Sequence, residues 1–396
     1  MDLDVVRESG WHPSPFSEFI VKVHSRCNLA CDYCYIYELA DQSWRDQPRT
    51  MSAAVVKATA RRVAEHARRH EIESVRVILH GGEPLLAGPD LIAFLAEEFR
   101  TALGPDIQLV LRAQTNAALL SSAIADVLRE YDIRVTISLD GDRAGHDRHR
   151  RTRGGDGSYD AVMRGLDVLF DDRYRHLFGG FLAVVDLAND PISTYEHLAS
   201  FNPRSIDFLL PYGTWAAPPP GKAVFGGSAG TADTSYGRWI NTAFDHWYTR
   251  GPARVPVRLF TSAIEQLVGR QGTSEQLGTG PASFLVIETD GAIEQVDSLK
   301  ATFEGATHTG LHVLRDDLEA AYTHPGVVAR QIGIQALSTT CLDCRLRDAC
   351  GGGMYTQRYR PGTGFKNPSV YCADLTVFLD HVSARVRADL AAVGKA

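Results

Sequence analysis

The tightest constraint on this chain is the run Ser25-Arg26-Cys27-Asn28-Leu29-Ala30-Cys31-Asp32-Tyr33-Cys34-Tyr35, three cysteines spaced C-x3-C-x2-C directly after the strand-like stretch Phe19-Ile20-Val21-Lys22-Val23. Three thiolates on one short loop suit three irons of a [4Fe–4S] cluster and leave the fourth iron open to a ligand. A zinc knuckle is the alternative, although zinc sites favour four ligands in paired C-x2-C spacing. The other four cysteines, Cys341, Cys344, Cys350 and Cys372, lie far downstream, with none between positions 34 and 341. Clustered cysteines in a reducing compartment read as metal or Fe–S ligands rather than disulfides.

The cysteine loop sits in an alternation of strand-like and helix-like segments. Strand-like runs fall at 75–80, 108–112, 134–139, 180–185 and 205–210, and helical patterns at 52–70, 90–102, 119–130, 158–170 and 191–200. With the strand before Cys27 this gives six strands and an α/β fold with a parallel sheet. Functional groups are then expected at the C-terminal ends of the strands. Residues 211–234 are rich in Pro, Gly and Ala around Pro218-Pro219-Pro220-Gly221 and read as a linker or loop. Residues 235–272 look helical, Phe284–Val296 reads as a hairpin turning at Asp290-Gly291, and an amphipathic helix runs from about 373 to 392.

The 396 residues are 44% hydrophobic with a net charge of −7, which gives no electrostatic case for nucleic acid or an anionic membrane. The start of the chain lacks a secretory signal pattern, and no apolar run has the length of a membrane span. The expectation is a cytoplasmic protein.

The cysteine spacing, with Tyr33 before the last cysteine, resembles that of the radical S-adenosylmethionine (SAM) enzymes. His80-Gly81-Gly82-Glu83-Pro84 after the second strand is similar to that family's Gly-Gly-Glu-Pro element. The resemblance implies a partial (β/α)6 TIM-like barrel and a cluster on Cys27, Cys31 and Cys34 whose open iron binds SAM. One electron from an external donor then yields a 5'-deoxyadenosyl radical. It further implies that Gly81, Gly82 and Glu83 hold the SAM amine, and that Thr115, Asn116, Ser138 and Asp140 contact its ribose and carboxylate. Asn, Ser and Asp at such positions are also ordinary caps and turn formers. Arg150, in the basic run 149–153, suits the SAM carboxylate; a solvated charge run is the other reading.

Cys341-x2-Cys344-x5-Cys350 with Cys372 resembles part of the SPASM module, which ordinarily holds two auxiliary clusters on seven cysteines. Here Met354 and Val296 stand where two of those cysteines would be. The resemblance thus implies one auxiliary [4Fe–4S] cluster with four thiolates, zinc being the alternative. It also makes Asp297 the candidate general base, a strand-end aspartate in a turn being the alternative. The text at 290–300, 350–355 and 364–374, with 24–31 and 37–44, resembles FxsB-type proteins. That implies an oxidoreductase maturing a ribosomally made (RiPP) precursor peptide by three-residue cyclophane formation, a bond between an aromatic ring and a nearby β-carbon. The rivals are thioether or ether crosslinks, epimerisation and formylglycine formation, or a non-enzymatic Fe–S or zinc protein that binds peptide. No separate leader-binding domain is evident, so the leader is expected on a strand edge. The expected domains are a segment 1–16, a barrel 17–212, a linker and bridging helices 213–280, and a SPASM-like domain 281–396.

Overall fold

A computed structural model describes residues 3–8, 10–222, 233–251 and 254–393. Residues 223–232 of the expected linker, 252–253 of the bridging segment and parts of both termini lie outside the described residues. The chain forms two compact units that interleave along the sequence. The first comprises 1–138, 146–180 and 281–332; the second comprises 139–145, 181–280 and 333–396.

The first unit is an α/β sheet built from β1 (Glu18–His24), β2 (Ser74–Gly81), β3 (Gln108–Thr115) and β4 (Arg134–Ser138). The helices α1 (Ala53–Arg69), α2 (Gly88–Leu103), α3 (Ser122–Glu130) and α4 (Tyr159–Leu169) alternate with or follow these strands. β1 pairs parallel with β2, β2 with β3 and β3 with β4. Val21, Val23, Val75, Val77 and Leu79 are fully buried, as expected of parallel strands rich in branched residues. Side-chain caps fix the helix starts: Ser52 accepts from Val55 N–H and Ser121 from Ile124 N–H.

Residues 281–332, expected to open the SPASM-like domain, belong to the first compact unit. The hairpin forms as read, β7 (Phe284–Ile287) pairing antiparallel with β8 (Ala292–Glu294), with Gly291 at φ +103° in its turn. But β7 also pairs parallel with β1, on the side away from β2, and β9 (His308–His312) follows β8. A run of four buried residues, Phe284-Leu285-Val286-Ile287, favours a place inside the sheet, which the alternation of a surface hairpin would not.

The second unit holds most of β5 (Phe178–Val184), then α5 (Pro191–Ser200), β6 (Ser205–Leu209), α6 (Ser235–Thr249), α7 (Arg258–Leu267) and α8 (Cys372–Val393). Its core is aromatic: Phe244 packs edge-on to Phe260, and Trp239 to Phe208. Residues 211–222, read as a linker, are fixed within this unit. Trp215 Nε1 donates to the Pro368 carbonyl at 2.8 Å, the Tyr371 hydroxyl to the Pro211 carbonyl at 2.8 Å, and Lys222 pairs with Asp374. Proline and alanine composition suggests a spacer, yet here those residues dock because Trp215 and Tyr371 find carbonyl partners. Among the described residues no helix is long and apolar enough to cross a membrane.

Candidate active site

At the C-terminal end of β1 the chain leaves the sheet into the cysteine loop, and at the end of β2 it makes the Gly81–Glu83 turn. Backbone hydrogen bonds stitch these two together: Gly82 N–H donates to the His24 carbonyl at 2.9 Å and Glu83 N–H to the Arg26 carbonyl at 3.0 Å. The glycines are needed for that approach. Gly81 has φ +148°, and a Cβ there would strike the His24 carbonyl. A Cβ on Gly82 would lie 2.6 Å from the Arg26 carbonyl group and closer still to the Tyr37 hydroxyl. Sequence reading assigns these glycines to ligand access; the structure adds that they let the turn rest against the residue before Cys27.

In the basic run Arg151 and Arg153 are exposed, whereas Arg150 is buried. Ala30 N–H donates to the Arg151 carbonyl at 2.7 Å, and Arg153 Nε to the Cys27 carbonyl at 3.0 Å. The Arg150 side chain is buried, with its guanidinium 5.4 Å from the centre of the Tyr33 ring. Residues 149–153 therefore brace the cysteine loop from one side and the Gly81–Glu83 turn from another.

Glu83 is fully buried and accepts from Thr115 Oγ1 (2.5 Å), Asn116 N–H (2.8 Å) and Leu85 N–H (3.0 Å). Burial outweighs these bonds and pushes its carboxyl up to about 7. Thr115 thus positions Glu83. Asn116 Nδ2 donates to Asn28 Oδ1 at 2.9 Å and points at Cys27 Sγ, 3.6 Å away. Ser138 Oγ accepts from Gln114 Nε2 at 2.9 Å. Asp140 belongs to the second unit, where its buried Oδ1 accepts from Val184 N–H at 2.9 Å.

The cysteines fit iron. None of the seven is in a disulfide. Burial, with Glu83 and the sulfurs of Cys31 and Cys34 as neighbours, pushes the Cys27 thiol up to about 12, and burial also raises Cys34. A thiol held so high keeps its proton unless a cation replaces it, which is what metal binding does. Leu29 N–H points at Cys27 Sγ at 3.4 Å, a contact that favours thiolate. In the second unit Cys350 senses Cys372 and Cys341, and Cys372 senses Cys341 and Cys344; burial pushes Cys350 up to about 11. After Cys350 come Gly351, Gly352 and Gly353, all with φ between +60° and +76°, their carbonyls gathered around the Arg358 guanidinium. A side chain at Gly351 would strike the Gly278 carbonyl, so this turn admits only glycine.

Asp297 follows β8 and is buried in the first unit beside Lys22, whose Nζ lies 3.0 Å from Asp297 Oδ1 and 2.7 Å from Glu288 Oε1. Burial disfavours the Lys22 cation, but Asp297, Glu288 and Glu294 more than offset it and hold its pKa above the ordinary lysine range. Burial lowers His80, which also senses Asp297, Lys22 and Glu288. Sequence reading missed this group. Its signal is Lys22 itself, a lysine inside the apolar run Phe19–Val23, where only a buried partner makes a charge tolerable.

Residues 21–186 match the Radical SAM superfamily. The chain is 26% identical over 287 residues to a cysteine-type anaerobic sulfatase-maturating enzyme of Clostridium perfringens, spanning 72% of this chain and 74% of that protein. It is 29% identical over 349 residues to a serine-type anaerobic sulfatase-maturating enzyme of Klebsiella aerogenes, spanning 86% of this chain and 80% of that one. The fold is similar to that of native anSMEcpe with bound AdoMet, at a TM-score of 0.76 and 21% identity over 93% of this chain and 97% of the other. It is also similar to SuiB of Streptococcus suis bound to its precursor peptide SuiA, at a TM-score of 0.58 and 15% identity over 93% and 78% of the two chains. The fold is thus an α/β fold with a parallel-dominated sheet like that of the anSMEcpe structures, and residues 21–186 carry the match to the Radical SAM superfamily.

Proposed function

We propose that this enzyme is a maturase that oxidises one residue of a peptide or protein substrate at its β-carbon. When bound, SAM and its cluster supply the radical that removes the β-hydrogen. Cys27, Cys31 and Cys34 would hold that cluster, and Gly81, Gly82, Glu83, Thr115, Asn116, Ser138, Asp140, Arg150 and Tyr33 would shape the SAM pocket. Cys341, Cys344, Cys350 and Cys372 would hold the auxiliary cluster, which would supply an acceptor for the electron left after hydrogen removal, and Asp297 accepts the proton. The starting electron comes from an external donor. The observation that supports this reading is the pair of backbone hydrogen bonds joining the Gly81–Glu83 turn to the lead-in of the cysteine loop.

Among specific outcomes, formylglycine formation in a sulfatase has the support of the similar proteins' names. Cyclophane formation is the second reading. What favours it is the C-terminal text, together with Val296 and Met354 standing at cysteine positions of the seven-cysteine module. Both begin with loss of the same hydrogen and end with loss of one further electron and proton. Anaerobic turnover of a serine- or cysteine-containing sulfatase peptide, and of a small protein encoded beside the gene, separates them. A hydrazide-reactive aldehyde means formylglycine. Loss of two hydrogens confined to three residues starting at an aromatic, with no aldehyde, means cyclophane. Failure to cleave SAM to 5'-deoxyadenosine with a chemical reductant would overturn the reading altogether.

A further inference from the structure

Two lysines and four carboxylates that no cluster or SAM contact uses are buried together at the ends of β1, β7 and β8: Lys22, Asp41, Glu288, Glu294, Asp297 and Lys300. Lys22 serves Glu288 and Asp297. Lys300 Nζ stands 3.5 Å from Asp41, 3.4 Å from Glu288 and 3.7 Å from Glu294, and donates to Ser43 Oγ at 3.1 Å. Oxygens of Glu288, Glu294 and Asp297 lie within 4.8 Å of one another. A divalent cation would suit three such carboxylates, but the two ammonium groups already occupy that role.

Burying charge demands compensation, and the count leaves carboxylates in excess. Glu294 is where the excess falls. It is 1% exposed, and its Oε2 has no hydrogen-bond partner. An ionised oxygen in that state is costly, whereas a protonated one carries its own donor toward the neighbouring carboxylates. The groups facing Glu294 are Lys22 from β1, Glu288 from β7, Asp297 and Lys300 from the turn after β8, and His308 from β9. Burial, reinforced by Glu288, pushes its carboxyl up to about 8 against the pull of the two lysines. On its other side, Glu294 Oε1 faces His308 Nε2 at 3.4 Å, and the His308 side chain is 51% exposed.

We propose that Glu294 is a neutral carboxylic acid in the resting enzyme and, with His308, forms the route by which a proton taken up at Asp297 reaches solvent. Glu294 gives its proton to the His308 imidazole and is reprotonated from Asp297, whose carboxylate oxygen lies within 4.8 Å of its own. His308 then releases the proton to bulk water, so no proton is gained or lost by the protein in a full cycle. The role deepens the maturase reading given above, and its test is chosen to need no substrate.

The experiment is infrared spectroscopy of the anaerobic holoenzyme near neutral pH. A buried carboxylic acid gives a carbonyl stretch above the amide bands. The expected result is such a band in the wild type, its loss in Glu294→Gln, and its downshift on transfer to D2O. In His308→Ala the downshift should slow by roughly an order of magnitude or more, with free imidazole restoring it. No band lost in Glu294→Gln would overturn the neutral acid, and an unchanged exchange rate in His308→Ala would overturn the route. If both results hold and no peptide is oxidised, the maturase reading fails while the proton route stands.

Discussion

Lys22 Nζ sits 3.0 Å from Asp297 Oδ1, and the same nitrogen holds Glu288 at 2.7 Å, so one strand residue pairs with two carboxylates that arrive from a distant part of the sequence. Replacing Lys22 with Met leaves both buried without their shared cation. The expected loss is about 3–5 kcal/mol of stability, the usual result of breaking a buried pair from one side. Lys22→Met/Glu288→Gln should recover part of it. Denaturant unfolding of the two variants checks this, and equal instability would show that Glu288 is not what Lys22 compensates.

The two cysteine groups should fail differently. Cys27→Ala/Cys31→Ala/Cys34→Ala is expected to lose one cluster and all SAM cleavage. Cys341→Ala/Cys344→Ala should lose the other cluster, keep SAM cleavage to 5'-deoxyadenosine and stop product formation. Iron analysis should fall from roughly eight atoms per chain to roughly four in each case. Zinc in place of iron at the second site would contradict the auxiliary-cluster assignment.

Gly82→Ala should separate the SAM turn from the cysteine loop. Its Cβ would meet the Arg26 backbone as well as the Tyr37 hydroxyl, so Gly82→Ala/Tyr37→Phe should not restore it. The expectation is SAM affinity weakened by about tenfold or more, given that even modest displacement of a positioning group is that costly. Equilibrium binding of SAM to the reconstituted variants measures it. Wild-type affinity would mean the turn yields without moving its ligand groups.

Glu294 also makes a thermodynamic prediction. Its folded-state carboxyl lies near 8, above the ordinary 4.5, so over that window the fold keeps a proton that the unfolded chain has released. Stability must then fall as pH rises from about 5 to about 8. Glu83, raised to about 7, contributes in the same direction over the lower part of that range. Glu294→Gln should flatten the slope by an amount on the order of a few kcal/mol across the window. Unfolding curves at several pH values test it; a slope identical to wild type would mean that Glu294 is ionised in the fold.

Much of the barrel could be read from the chain because its rules are local. β-Branched runs, capping serines at 52 and 121 and the Asp290-Gly291 turn each act within a few residues. The three-cysteine loop and the Gly81–Glu83 turn were equally plain. What escaped were pairings between residues hundreds of positions apart. Nothing near Phe284 says that β7 lies beside β1, since a buried run suits many neighbours. Likewise Lys22 in its apolar run asks for a buried partner without naming it, and Glu288 and Glu294 look unremarkable until the sheet brings them together.

The pairing of β1 with β7 has a consequence for synthesis. At about 5–20 residues per second, β1 leaves the ribosome roughly 10–50 s before β7 exists to cover it. Through that interval the strand leading into the cysteine loop has one open edge, the kind of surface that recruits stray strands. A fragment ending before residue 281 would carry every element of the three-cysteine site and yet keep that edge open permanently. Attempts to produce the N-terminal part alone should therefore yield aggregates, and adding residues through 332 should cure them.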